Sequence, residues 1–141
     1  MLLTSNNTAV DEEHFIWYSA SIRISGETLD FNQIADTLKL EPEHTHRKGE
    51  INPFELAYDS DMWLYTAAVP KTEPLDIHLI TLWSSLKPHK EFLIELKKNS
   101  KIDLFCGYRS NSTTAGFGLS PAALEIVNEL QIKLEVSVFF I

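Results

Sequence analysis

Apolar and polar residues alternate along several segments of this chain, and this period of two is the feature that most constrains its fold. From His14 to Ser25, every second residue between Ile16 and Ile24 is apolar. The positions between them carry aromatic, hydroxyl and basic side chains. This pattern predicts a β-strand with one buried and one half-polar face. We expect further strands over 62–69 and 102–109, and a last strand from about residue 132 to the end.

Three other stretches repeat their apolar residues at helical spacing. A capping-box pattern begins at Asp30 and predicts a short helix after it. Pro74 opens a second helical stretch, and Pro88 can restart it as a first-turn proline. The pair 120–121, a serine and a proline, predicts the start of a third helix.

With a short strand expected at 117–119, the predicted order is β-α-β-α-β-β-α-β. This order predicts an α+β protein, a ferredoxin-like sandwich with helices on one face of a mainly antiparallel sheet. We expect residues 1–13 to be a flexible leader and 14–141 to form a single domain. Residues 40–60 are expected to be a long polar loop, a kind that is often functional or mobile.

Composition excludes several classes of protein. The chain has 141 residues, of which 44% are hydrophobic, so neither a disordered nor a collagen-like chain is expected. Cys106 is the only cysteine, which excludes a disulfide scaffold. The sequence contains no apolar run long enough for a membrane span and no secretory signal pattern. We therefore expect a cytoplasmic protein without membrane contact.

The charge is acidic and unevenly distributed. The formal net charge is -8 and the isoelectric point is about 5.0. Segment 41–61 holds six acidic and two basic residues, whereas five lysines lie in segment 87–101. A net acidic domain argues against nucleic acid and favours a basic protein partner. Glu55, Asp59 and Asp61 are the candidate contact residues on the acidic segment.

The same segment contains a basic turn. Arg47 and Lys48 precede Gly49, which can adopt a positive φ. Such a turn can present Arg47 or Lys48 to a carboxylate, a phosphate or a sheet edge. The alternative is that Arg47 pairs with a local acid and shapes the turn.

No residue is nominated as catalytic or as a metal ligand. His44 and His46 lie near two glutamates, but the spacing is not helical and the neighbouring basic residues oppose a cation. Cys106 lies on the apolar side of its strand, where a small buried side chain is expected rather than a nucleophile. His78, at the edge of a helical stripe, is expected to be structural. We predict a protein that is not an enzyme and has no cofactor.

The half-polar face of the sheet is the second candidate surface. Its members are aromatic and arginine side chains from three strands: Trp17, Arg23, Phe105, Arg109 and Phe139. These residue types are enriched at protein interfaces. The alternative is that loop 40–60 covers this face. Aromatic residues on such a sheet also suit RNA stacking, but the low isoelectric point argues against it.

Several short stretches, taken in order, resemble one bacterial family. They are residues 19–26, 40–42, 47–50, Trp63, 106–108 and 116–121. In this order and spacing they resemble the family called domain of unknown function 4279. The resemblance covers nearly the whole domain from Trp17. It implies a small, stand-alone, cytoplasmic bacterial protein, and it carries over no catalytic residue because the family has no agreed activity.

Two functions follow as expectations. The first is a non-enzymatic binding protein, of the immunity or adaptor kind, that occludes a basic protein partner through segment 41–61 and the open sheet face. The second is a small-ligand-binding or sensor domain, which could be a homodimer, with a pocket on which Arg23, Arg47 and Arg109 converge.

Overall fold

A computed structural model describes residues 16–112 and 116–140. In it, the first predicted strand is the central strand of a five-stranded sheet. Strand β1 (Ile16–Gly26) pairs antiparallel with β3 (Asp61–Thr66) and with β4 (Lys101–Ser110). Strand β2 (His44–His46) pairs antiparallel with β3, and β5 (Lys133–Phe140) pairs parallel with β4. The order across the sheet is β2-β3-β1-β4-β5.

The helices form three segments between the strands. The first is α1 (Phe31–Leu38). The second begins as α2 (Leu75–Leu86), passes through a 3-10 turn (Lys87–His89) and continues as α3 (Lys90–Lys97). The third, α4 (Glu125–Leu130), connects the parallel strands β4 and β5. A crossover of this kind is what a parallel pair of strands requires.

Local capping chemistry explains the predicted start of α1, whereas the third helix, predicted to start at 120–121, begins only at Glu125 after a turn. The Oδ1 of Asp30 accepts a hydrogen bond from the Gln33 N–H at 3.0 Å. The Oγ of Ser120 accepts one from the Ala123 N–H at 3.2 Å. Pro88 lies in the 3-10 turn that joins α2 to α3. The bond at Asp30 satisfies a backbone donor that α1 leaves unpaired at its start, whereas the bond at Ser120 stabilises the turn that precedes α4.

One face of the sheet carries the hydrophobic core. The inward residues of β1 are Ala20, Ile22 and Ile24, and none of them is exposed. Together with inward residues of β3 and β4, they form one cluster with the buried side chains of all the helices. The α+β architecture, with helices on one face of a mainly antiparallel sheet, is therefore confirmed.

Three finer predictions were wrong or are not confirmed. Residues 117–119 are not a strand; instead the Phe117 ring packs edge-on against Tyr108, with centroids 5.3 Å apart. Segment 40–60 contains strand β2, which the sequence analysis missed. The ferredoxin-like order is not confirmed, because β4 and β5 are adjacent and parallel. The predicted leader, 1–13, lies outside the described residues.

Candidate functional site

The segment after β2 folds back on itself as a short hairpin, residues 49–58, which we call the tip hairpin. Ile51 and Ala57 form an antiparallel bridge. Below it, the Tyr58 N–H donates to the Glu50 carbonyl at 2.9 Å. The centre of segment 40–60, which the sequence predicted to be a loop, is therefore held together by hydrogen bonds within the segment.

The turn of the tip hairpin is fixed by its own side chains. The Oδ1 of Asn52 accepts hydrogen bonds from the backbone N–H of Phe54 at 2.8 Å and of Leu56 at 3.1 Å. Pro53 follows Asn52 and presets the first turn position. Glu55 adopts a φ of 64°, the left-handed conformation that usually holds glycine in a three-residue hairpin loop. A glutamate is therefore strained where glycine is not.

Three large apolar side chains project from this turn. Phe54 is 83% exposed, Ile51 is 65% exposed and Leu56 is 64% exposed. Isolated exposed apolar residues are ordinary, but three within six residues of one ordered hairpin are an unusual concentration of the kind that marks interaction sites.

Acidic residues flank these apolar residues along the chain. Glu50, Glu55 and Asp59 are all exposed, and none of them forms an ion pair within the described part of the chain. The nearby Lys48 has its ammonium 2.7 Å from a carboxylate oxygen of Glu27. The tip hairpin therefore presents exposed apolar side chains together with three negative charges, Glu50, Glu55 and Asp59, which we call the acidic rim.

The base of the tip hairpin is anchored by Asp61. Its carboxylate accepts hydrogen bonds from the backbone N–H of Leu29 at 2.9 Å and of Lys48 at 2.8 Å, and from Nη1 of Arg47 at 2.7 Å. The two backbone donors, and then Arg47, hold the pKa of Asp61 below its ordinary value, although burial opposes them. The guanidinium of Arg47 also lies 3.7 Å from the centre of the Phe31 ring.

A pair of histidines supports the hairpin on β2. The His46 ring stacks on Tyr58, with centroids 3.4 Å apart and planes 6° from parallel. Its Nδ1 lies 2.9 Å from Nε2 of His44, so the two rings share a hydrogen bond. Burial, and then the neighbouring His44, lower the pKa of His46. Among the described residues, no group of three or more metal-ligating side chains is found.

The open face of the sheet carries a second arrangement. Arg23 and Asp103 lie opposite each other on β1 and β4 and form two hydrogen bonds, of 2.8 and 2.9 Å. The Arg23 guanidinium also lies 4.6 Å from the centre of the Phe105 ring and 3.6 Å from a carboxylate oxygen of Glu135. The charge of Arg23 is therefore already neutralised within the protein.

Beside this pair, small residues form a trough across three strands. Ser19, Gly107 and Ser137 are register partners on β1, β4 and β5. A Cβ at position 107 would lie 2.8 Å from Oγ of Ser19, so even one added carbon would crowd the floor of the trough. The walls are the residues two positions before and after Gly107 on β4, namely Phe105 and Arg109.

Arg109 stands between aromatic rings at one end of this trough. Its Cζ lies 5.5 Å from the centre of the Trp17 ring and 5.2 Å from that of Phe139. Nζ of Lys71 lies 5.7 Å from the centre of the same Trp17 ring. Within the described residues, neither Arg109 nor Lys71 forms an ion pair.

Comparison with protein-family models matches residues 16–140 to a domain of unknown function, DUF4279. The chain belongs to this family. The resemblance expected from the sequence motifs is thus confirmed for DUF4279. No curated protein and no solved structure gave a significant match. Among the described residues of this DUF4279 chain, no helix is both long and apolar enough to cross a membrane.

The structure separates the predicted contact residues into two sets. The first set lies in or at the base of the tip hairpin: Arg47, Lys48, Glu55, Asp59 and Asp61. The second lies on the open face: Trp17, Arg23, Phe105, Arg109 and Phe139. Asp61 lies two residues before the buried Trp63 on β3 and therefore on the core side of the sheet, whereas Arg23 and Arg109 lie on its open side. The two sets therefore form separate surfaces, and Arg47 does not converge with Arg23 and Arg109.

Sequence reasoning missed the apolar residues of the tip hairpin and the role of Gly107. The dipeptide Asn52-Pro53 is a turn signal that could have revealed the hairpin. A glycine within a strand often marks the close approach of a ligand or of another backbone. Cys106 and His78 are both buried, and burial raises the pKa of the Cys106 thiol to about 12.

Proposed function

We propose that this DUF4279 protein is a non-enzymatic binding protein that docks the tip hairpin onto a basic protein partner. The observation that carries the proposal is the exposure of Phe54, Ile51 and Leu56 on a turn whose backbone is hydrogen-bonded internally. A rigid apolar anchor loses little conformational entropy on binding, which is why such anchors contribute most of the affinity of an interface.

The acidic rim supports the proposal that the partner is positively charged. Glu50, Glu55 and Asp59 are exposed on and beside the hairpin that carries the apolar side chains, and the whole chain carries a net charge of -8. A complementary partner has an apolar pocket bordered by lysine or arginine. Such charges raise the association rate and exclude acidic competitors.

The strained conformation of Glu55 also supports a binding role. Glycine fits a φ of 64° better than glutamate does, so a glutamate at this position carries a cost to folding. Strain that the fold does not need is common at binding sites. Here it places a negative charge beside Phe54 at the end of the turn.

In this proposal the protein acts in the cytoplasm by covering a functional surface of its partner, as an immunity protein or an adaptor does. Its inhibition is steric and electrostatic and needs no catalytic group. Salt should weaken the complex, because the rim charges are exposed and are screened at high ionic strength.

The first test places a photo-crosslinking phenylalanine at position 54, with the same group at position 80 as the control. Ile80 is also exposed but lies on α2. In lysate from the source organism, we expect a basic protein to crosslink at position 54 and not at 80. A pattern shared by both positions, an acidic product, or a second copy of this chain would contradict the proposal.

The second test measures the affinity of the purified pair. Phe54→Ala should weaken binding at least about tenfold, whereas Ile80→Ala should leave it unchanged. Glu55→Lys combined with Asp59→Lys should slow association and flatten its salt dependence. Glu73→Lys combined with Glu91→Lys makes the same charge change elsewhere and is the control. Asp61 is left intact because it is buried. Equal association rates for the two charge reversals would overturn the role of the rim.

A further inference from the structure

The trough on the open sheet face has the size and the chemistry of a small-ligand site. Its walls, Phe105 and Arg109, are four residues apart on β4, or about 13 Å. Its floor crosses three strands, or about 10 Å. The hollow lined by Gly107, Ser137 and these walls has a volume of about 340 Å³. A fused ring system with a short side chain fits these dimensions.

The floor of the trough is polar but uncharged. Ser19 and Ser137 flank Gly107, and their hydroxyl groups can donate or accept hydrogen bonds. Because Gly107 has no side chain, Oγ of Ser19 takes part of the space beside it, so a flat group on this floor would meet the Ser19 hydroxyl together with the backbone of β4. Phe105 and Phe139 provide aromatic surface on opposite sides of the floor.

The charge at one end of the trough is positive and uncompensated within the described part of the chain. Arg109 and Lys71 both line a second hollow, of about 80 Å³, next to Trp17, and no carboxylate pairs with either cation there. The contrast is Arg23 on the same face, which Asp103 neutralises. An anion in the hollow that both cations line would be attracted by both of them.

The position of Arg109 between two aromatic rings favours the binding of an anion by its guanidinium. The aromatic faces of Trp17 and Phe139 attract the guanidinium and limit its motion. The five N–H groups of an arginine lie in one plane, so the edge of the group remains able to donate to a carboxylate or a phosphate.

We propose that this trough binds a small aromatic anion, with its flat ring over Gly107 and its carboxylate or phosphate on Arg109 and Lys71. The proposal is independent of the tip hairpin, because it uses none of the hairpin residues. A long nucleic acid would not suit the site, since the chain as a whole carries a net charge of -8.

The test uses nuclear magnetic resonance of the full chain with four probes. Indole-3-acetate joins a flat ring to a carboxylate, and adenosine monophosphate joins one to a phosphate. Tryptamine has the indole ring with an ammonium group, and acetate has a carboxylate without a ring. The chain has three tryptophans, and Trp63 and Trp83 are buried, so their indole N–H signals are internal controls for Trp17.

We expect indole-3-acetate or adenosine monophosphate to shift the Trp17 indole and Gly107 amide signals saturably, with a dissociation constant of about 1 mM or tighter. Which of the two binds distinguishes a carboxylate ligand from a phosphate ligand. Tryptamine and acetate should bind at least about tenfold more weakly. Failure of both anionic ring probes, or equal binding of tryptamine, overturns the proposal.

Three variants test the placement of the ligand. Arg109→Gln should weaken binding at least about tenfold, because it removes the positive charge that holds the anion. Since Arg109 is exposed, this change should not disturb the core. Gly107→Val should abolish binding by filling the floor, and its spectrum shows directly whether the fold is retained. Lys101→Gln removes a cation from the opposite end of the same strand face and should have no effect. Binding retained by Arg109→Gln contradicts the proposal even if Gly107→Val is unfolded.

Discussion

Arg23 and Asp103 face each other across β1 and β4, and their two hydrogen bonds bring a nearly buried carboxylate onto the otherwise open face of the sheet. Asp103 is only 3% exposed, whereas the side chain of Arg23 retains contact with solvent. The hydrogen bonds that Arg23 donates to Asp103 are the main reason why the pKa of Arg23 is raised. The arginine that the sequence nominated for a partner therefore stabilises the sheet.

The two halves of this pair should differ in their effect on stability. Arg23→Ala leaves a buried carboxylate without its partner and should lower the free energy of unfolding by about 3 kcal/mol. Asp103→Ala should cost less, because Arg23 can still reach Glu135 and water. Urea unfolding of both variants and of the double variant measures the coupling. Equal losses that simply add would show that the pair is not coupled.

The anchor of the tip hairpin gives a second prediction. Asp61→Ala removes the acceptor of three hydrogen bonds, including two from backbone N–H groups, and should lower the free energy of unfolding by about 3 kcal/mol. Asp59→Ala is the matched control and should have little effect, because Asp59 is exposed. Urea unfolding compares them, and a loss shared equally by both variants would refute the anchoring role.

A substitution at Glu55 is expected to raise the free energy of unfolding rather than lower it. Glu55→Gly should raise the free energy of unfolding by about 1 kcal/mol, because glycine adopts a φ of 64° without strain. Glu55→Ala removes the same charge but keeps the strain, so it should leave stability nearly unchanged. Thermal unfolding distinguishes them, and equal melting temperatures would mean that the strain is absent.

Stability should decrease as the pH falls from about 7 to about 5. Burial lowers the pKa of both His46 and His78 in the folded protein. Below the ordinary histidine pKa of about 6.5, the unfolded chain therefore binds more protons than the folded one, and folding becomes less favourable. The depressed pKa of Asp61 acts only at lower pH, below about 4.

Unfolding in urea at several pH values measures this effect. His46→Phe keeps a flat ring to stack on Tyr58 and cannot be protonated, so its stability should depend less on pH than that of the unchanged protein. An unaltered slope in this variant would assign the effect to His78 alone.

The single thiol should be unreactive while the protein is folded. Cys106 is fully buried, and burial raises its pKa to about 12, so almost no thiolate forms near neutral pH. A thiol reagent should react at least about 100-fold faster in denaturing urea than in buffer. Rapid labelling in buffer would show that strand β4 opens readily.

The sequence predicted the elements whose signals are local. The alternation from Ile16 to Ile24 indicated β1, and the cap at Asp30 indicated α1, because each pattern depends on neighbours in the chain. Strand β2 was missed because it has only three residues and depends on pairing with β3. The false strand at 117–119 had apolar residues at suitable spacing but no partner strand in the sheet.

The candidate surfaces also have features that the local sequence predicts and features that depend on long-range contacts. The sequence by itself determined which residues face away from the core of β1 and β4, because the side chains of a strand alternate between its two faces. Only the tertiary structure decided that Asp103 neutralises Arg23 while Arg109 is left between two rings, and that Asp61 anchors a hairpin presenting Phe54. These outcomes depend on contacts between residues far apart in the chain, and a linear pattern does not encode which charges finally meet.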